Sequence, residues 1–231
     1  MKKVAFKNLG LISYKKAWDL QETLFKEIVD IKLKDRLENT TSITKNHLLF
    51  CEHPPVYTLG KSGEIQNLLL DESSLKDQNI DFYKINRGGD ITFHGPGQLV
   101  AYPILNLDYF FTDIHLYLRK LEDAIIKVLA HYNIEGDRLE GFTGVWLEPG
   151  IKNKERKICA MGVKASRWVT MHGLALNVNT DLSYFDNIIP CGIDDKAVTS
   201  IEKEIGRKVE LEEVQELLLK YLIEIFEIEL I

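Results

Sequence analysis

Thiols are scarce. Cys51, Cys159 and Cys191 are the only cysteines in 231 residues. Their number is odd and no two lie close together, so no disulfide framework is expected and a reducing cytoplasm is the matching compartment. Paired-cysteine and HExxH spacings are missing too: His47, His53, His94, His115, His131 and His172 stand apart along the chain. That pattern argues against a metal site. No apolar run reaches the roughly 18 residues of a membrane span. The opening MKKVAFKNLGLISYKKAWDL has no long apolar core before Lys15, so neither a signal peptide nor a membrane anchor is expected.

Two further absences narrow the chemistry. Lys and Arg number 29 against 35 Asp and Glu, a formal net charge of −6, so composition offers no nucleic-acid partner. The segment LGKS (59–62) carries only the tail of a Walker motif, because Pro55 stands where the leading glycine belongs. The glycine-rich stretch RGGDITFHGPGQ (87–98) is flanked by strand-like residues and does not open a helix. No device for activating an acyl group with a nucleotide is visible, and no cofactor is expected.

Hydrophobic residues make up 45% of the chain, enough for a sizeable core. Residues 1–231 are read as one domain, with 196–231 as a possible small helical C-terminal portion. VAFKNLG reads as a strand, and Ser13 as the N-cap of a helix of about twenty residues. HLLFCEH, ITFH, TGVWLEP, RKICAMGVKA and VTMHGLALNVN read as strands. Asp113 opens a second long helix. Thr199 with Glu202 suggests a capping box for a short helix that Gly206 ends. The last helix starts near Glu210, with Leu211, Val214, Leu217, Leu218, Tyr221 and Ile225 on its apolar face. The fold class is α+β, with strands dominating the middle and helices the ends.

His94 and His172 each directly precede a glycine at what reads as a strand end. Taken alone, each is more often a structural hydrogen-bonder than a catalyst; two such His-Gly steps bring the two readings level. Cys191 sits in IIPCGIDD, between a proline that fixes φ and a glycine that frees it. A backbone so constrained can hold a sulfur out from the chain. A buried inert thiol would be the ordinary reading if the cysteine stood alone.

These blocks do not stand alone. RGGDITFHGPGQLVAYPILNL, followed by RKICAMGVKASRWVTMHGLALNVNTDLSYFDNIIPCGI, resembles the lipoyl(octanoyl) transferase family. EHPPVYTLGKS fits the same family. The resemblance implies a mixed β-sheet packed by helices, similar to biotin and lipoate protein ligase catalytic domains. It implies transfer of an octanoyl group from octanoyl–acyl carrier protein, through a cysteine thioester, to a specific lysine of lipoyl domains. These acceptors belong to 2-oxoacid dehydrogenases and the glycine cleavage H protein. Cys191 is similar to the family's nucleophile and Lys157 to its essential lysine. Substrate contacts would fall on Arg87, Gly88, Gly89, Asp90, Ile91, Thr92, Phe93 and His94. Others would fall on Cys159, Ala160 and Met161, and on His172, Gly173 and Leu174. Alternative readings are an amidotransferase between protein lysines and an ATP-dependent lipoate protein ligase.

The chemistry suits these residue types. A free thiol with pKa about 8.5 is only about 3% thiolate at pH 7. Lowering that pKa to about 6.5 raises the thiolate share about 25-fold, but the lost nucleophilicity returns about 8-fold of it. Lys157 is therefore expected to move protons as well. The run 152–167 holds Lys152, Lys154, Arg156, Lys157, Lys164 and Arg167 against Glu155 alone. It is expected to help dock an acidic carrier protein.

Overall fold

The computed structural model describes residues 2–189 and 197–231. In chain order the elements are β1 (Lys2–Leu11), α1 (Tyr14–Glu38), β2 (Asn46–Glu52), β3 (Val56–Leu59), α2 (Glu72–Asp77), β4 (Asp81–Lys84), β5 (Ile91–His94) and β6 (Gln98–Ile104). There follow α3 (Ile114–His131), β7 (Gly136–Asp137), β8 (Val145–Leu147), β9 (Arg156–Ser166), β10 (Val169–Asn177), β11 (Ala197–Val198), α4 (Ile201–Ile205), α5 (Leu211–Phe226) and β12 (Ile228–Leu230). The main sheet runs β12-β1-β2-β6-β10-β9-β8-β7, with β11 also against β9. A small second sheet runs β4-β3-β5. The expected α+β class is borne out.

Strand alternation divides the main sheet's two faces. Leu48, Phe50, Leu99, Ala101, Leu174 and Leu176 point into one core with α3 and α5. Leu49, Cys51, Val100, Tyr102, Met171 and Ala175 point into the other, under α1. Residues 197–231 join this arrangement: Val214, Leu218, Leu222 and Phe226 of α5 pack into the first core, and β12 pairs parallel with β1. Among the described residues no helix is long and apolar enough to cross a membrane.

Helix ends show where local reading fell short. Ser13 stands at the N-cap of α1 but makes no side-chain cap bond. The Thr199 hydroxyl bonds Glu204, so the cap of α4 passes to Ser200, which accepts from the Lys203 N–H at 3.2 Å. Gly206 ends α4 in the left-handed region as expected. Asp113 caps α3, accepting from the N–H groups of His115 and Leu116. On α5 the buried stripe is Val214, Leu218, Leu222 and Phe226, and the last two were not singled out from the sequence.

Leu218 is fully buried whereas Leu116 of α3 is 41% exposed. Leu218→Ala is expected to cost roughly 2–5 kcal/mol, and Leu116→Ala within about 0.5 kcal/mol. Urea unfolding of the two variants checks the difference.

Candidate active site

The site starts from two loops that need each other. The LGKS segment folds over the RGG loop: the N–H groups of Gly60, Lys61 and Ser62 donate to the carbonyls of Asp90, Arg87 and Gly89 at 3.2, 2.9 and 3.2 Å. A Cβ at Gly60 would come within 2.2 Å of the Gly89 oxygen, so only glycine fits there. On its other side the RGG loop docks on β9, where the Gly88 N–H donates to the Val163 carbonyl at 2.9 Å. Gly162 permits this approach, since its Cβ would sit 2.8 Å from the Gly88 oxygen. The Arg87 guanidinium is buried and donates to the Thr58 carbonyl and hydroxyl at 2.8 and 3.0 Å and to the Gly88 carbonyl at 3.0 Å. The Walker-like tail is thus a strap for the RGG loop.

Beside this loop lies a cavity of about 120 Å³, lined by residues of β5, β6, β9 and β10. Val100, Ala160, Met161, Leu174 and Ala175 supply much of its apolar wall. Lys157 also lines it. Its Nζ lies 4.5 Å from the centroid of the Trp146 ring, a cation–π contact. Trp146 is placed by the turn before β8, where the buried Glu122 carboxylate accepts from the Gly144 N–H at 3.1 Å. The indole Nε1 of Trp146 is buried with no hydrogen-bonding partner among the described residues.

β11 takes the place beside β9 that β10 leaves. β10 pairs with Cys159–Ser166, and β11 with Arg156 and Lys157. A buried polar chain fastens this junction. His94 Nδ1–H donates to Gln98 Oε1 at 2.7 Å, and Gln98 Nε2 donates to Asn177 Oδ1 at 2.9 Å. Asn177 Nδ2 donates to the Thr199 carbonyl at 3.0 Å, and the Thr199 N–H donates to the Lys157 carbonyl at 3.0 Å. Because Gln98 turns its oxygen to His94, the proton of His94 sits on Nδ1 and its Nε2 is left as an acceptor.

Behind the cavity Tyr14 stacks on His94 with ring centroids 5.8 Å apart. His53 bonds the Ile12 carbonyl through Nδ1 at 2.7 Å, so its Nε2 accepts from the Tyr102 hydroxyl at 2.7 Å. Burial pushes His53 down to about 4. Burial, reinforced by neighbouring His53, pushes His94 down to about 3. Burial, then Arg87 and Lys164, pushes His172 down to about 3. All three imidazoles are neutral at pH 7. The same burial raises the thiols of Cys51 and Cys159 well above the usual range, which leaves neither suited to nucleophilic work.

Of the residues expected at the site, Arg87, Gly89, Asp90, Ile91, Thr92, His94, Lys157, Ala160, Met161, His172, Gly173 and Leu174 line this one cavity. Gly88, Phe93 and Cys159 do not. Gly88 spends its backbone on β9. Phe93 alternates to the far side of β5, into the core of the small sheet, stacked on Tyr184 with centroids 4.5 Å apart. Cys159 faces the core under α3 and α5. Cys191 lies outside the described residues. His172 was read at a strand end but sits inside β10, where its φ of 60° lets it stay paired while breaking the regular strand geometry.

Sequence reading missed Tyr14, Gln98, Tyr102, Trp146 and Asn177, which also line the cavity. Gln98, Tyr102 and Asn177 lie inside the motif blocks quoted from the sequence and Trp146 inside TGVWLEP, so each carried a usable signal, whereas Tyr14 carried none. The run 152–167 is also less positive than its own count suggests. Glu148 pairs with Lys154 at 3.7 Å and with Arg156, Glu204 with Arg156 at 2.7 Å, and Glu22 with Lys164 at 3.2 Å. These carboxylates come from outside the segment.

Cavity, loops and topology together define a class. Residues 13–223 match the lipoyl protein ligase A/B catalytic domain, and the chain belongs to that family. Its similarity is strong to octanoyltransferases. That of Christiangramia forsetii is 63% identical over 99% of this chain and 98% of its own length. That of Flavobacterium johnsoniae is 59% identical over 100% of this chain and 99% of its own. The family resemblance read from the motifs is borne out. Among solved structures, the bipartite lipoate protein ligase of Thermoplasma acidophilum superposes with TM-score 0.72 at 16% identity, over 100% of this chain and 86% of that one. The biotin protein ligase of Aquifex aeolicus gives 0.51 at 15%, over 98% and 70%. At such identities they show the shared fold.

The buried imidazoles set a pH dependence. Their folded pKa values of about 3 to 4 lie below the unfolded value near 6.5, so the unfolded chain takes up protons first. Their contribution is intact above pH 6.5 and lost as pH falls towards 4. Each histidine gives a slope of up to about 1.4 kcal/mol per pH unit. Urea unfolding at pH 7, 6 and 5 is expected to show stability falling steeply; a flat profile is incompatible with neutral buried rings.

Proposed function

We propose that the protein is an acyltransferase that moves an octanoyl group from octanoyl–acyl carrier protein to a lysine of lipoyl domains, through a thioester on Cys191. The observation that carries this reading is Lys157 lining an apolar-walled cavity, in a chain similar over nearly its full length to octanoyltransferases. The whole chain then acts as one catalytic unit in the cytoplasm.

Two half-reactions follow. The Cys191 thiolate attacks the carrier thioester, and the departing phosphopantetheine thiolate takes a proton from the Lys157 ammonium. The acceptor lysine then attacks the Cys191 thioester, and neutral Lys157 takes the proton that the new amide must lose. The second step runs downhill from thioester to amide, so no nucleotide is consumed. The Trp146 ring face holds the Lys157 amine at the cavity wall. The buried Trp146 N–H is an available donor for an acyl oxygen along the same wall.

Incubation with octanoyl–carrier protein, without nucleotide, is expected to add one octanoyl group to the intact protein by mass. Cys191→Ala abolishes the adduct. Lys157→Ala slows its formation by about 100-fold or more. Lys157→Arg keeps a charge but gives up no proton, so it too is slow in transfer to the lipoyl domain. Unimpaired rates in both Lys157 variants would remove its proton-transfer role.

A further inference from the structure

Lys157 lines the cavity against the ordinary alternation of its strand. Successive side chains of a strand point to opposite faces. Cys159 faces the core under α3 and α5, so Lys157, two residues earlier, should face that core too. Instead Ile158 and Cys159 both point into the core, and Lys157 lines the cavity. The pairing with β8 shows how. Val145 pairs with Cys159, but the next residue, Trp146, pairs with Lys157. Ile158 is left over, the extra residue of a β-bulge with no counterpart on β8. Val145 then shares the core with Cys159, and Trp146 shares the cavity with Lys157. Without the extra residue, the regular register would turn Ile158 to the cavity and Lys157 to the core.

The turn before β8 sits directly against this bulge. Gly144 has a φ of 108°, and a Cβ there would come within 2.4 Å of the Cys159 carbonyl oxygen. Its buried N–H donates to Oε1 of Glu122 at 3.1 Å. Glu122 comes from the middle of α3, and its side chain is fully buried. Its other oxygen, Oε2, accepts from Arg119 Nη1 at 3.0 Å and from Arg138 Nε at 2.8 Å. A buried carboxylate is costly unless it is paired. Here one oxygen meets two guanidinium groups and the other is spent on a single backbone N–H. Phe142 of the same turn packs edge-on against Trp146, with ring centroids 5.7 Å apart, and also lines the cavity.

We propose that Glu122 is a positioning residue for the transfer reaction: by fixing Gly144 against Cys159, it holds the β-bulge that aims Lys157 into the cavity beside the Trp146 ring. The inference rests on the acyl-transfer reading above. Glu122 is not part of the cavity lining, so it acts only through the turn. Removing its Oε1 leaves a buried N–H without an acceptor, and the turn then gains by moving off β9. A displacement of about 1 Å in a reacting group costs up to about 100-fold in rate.

The test measures octanoyl transfer from octanoyl-pantetheine to a lipoyl domain. Glu122→Met removes the acceptor and keeps the bulk. Gly144→Ala leaves the ion pairs alone and pushes the turn off β9. Arg138→Met weakens the ion pairs and leaves the Glu122–Gly144 bond. Glu122→Met and Gly144→Ala are expected to lower kcat about 10- to 100-fold with KM within about 3-fold. Arg138→Met is expected to lose stability in urea yet keep kcat within about 3-fold. In a Lys157→Ala background, Glu122→Met and Gly144→Ala are expected to slow transfer by no more than about 2-fold further, because the bulge then aims no amine. With Trp18 and Trp168 replaced by Phe, acrylamide quenching of the buried Trp146 is expected to rise in both. A merely structural role would make rate follow stability, Arg138→Met included, and would cost as much in the Lys157→Ala background. Either of these results, or full kcat with unchanged quenching in folded variants, overturns the anchor and leaves the transferase intact. Should Glu122→Met not fold, Gly144→Ala decides the matter. A wild-type protein that transfers no octanoyl group overturns both readings.

Discussion

The hydrogen-bonded chain from His94 to the Lys157 carbonyl is the interaction on which the site depends. It passes through Gln98, Asn177 and Thr199 and ties β5, β6, β10, β11 and β9 at one junction. His94, Gln98, Asn177 and Thr199 are all buried, where an unmet donor or acceptor would cost about 1–3 kcal/mol. The chain is closed by complementary atoms at every step, so it specifies geometry as well as adding stability. It holds a neutral imidazole on one wall and the base of the Lys157 side chain on another.

Around this junction the wall combines two kinds of surface. Close backbone approach at Gly60, Gly162 and Gly173 draws the strap loop, the RGG loop and three strands together. Apolar side chains of β6, β9 and β10 then line the space left between them. Polar groups share this lining, Lys157 beside an indole face and His172 with its backbone on Gln21.

Much of the fold was legible. The strands ITFH, RKICAMGVKA and VTMHGLALNVN, the cap at Asp113 and the stop at Gly206 depend on local patterns that neighbours in sequence decide. The RGG and HGL blocks pointed to part of the cavity wall. Phe93 and Cys159 were drawn into that set because they lie inside the motifs, yet Phe93 packs into the core of the small sheet and Cys159 into the core under α3 and α5. The Thr199 cap failed for a similar reason: its hydroxyl had a tertiary partner in Glu204.

The amino-acid sequence by itself determined the family, the element types and the residue kinds that the chemistry needs, because these follow from short-range periodicity and contiguous motifs. Only the tertiary structure decided which side chains share the cavity. Tyr14, Gln98, Trp146 and Asn177 come from four separate elements, and their meeting depends on strand register and helix packing. The same holds for charge: Glu22, Glu148 and Glu204 reach the basic run from outside it. Long-range pairing of this kind leaves no periodic trace in any one segment, since each partner's identity is constrained only by an atom that lies far away along the chain.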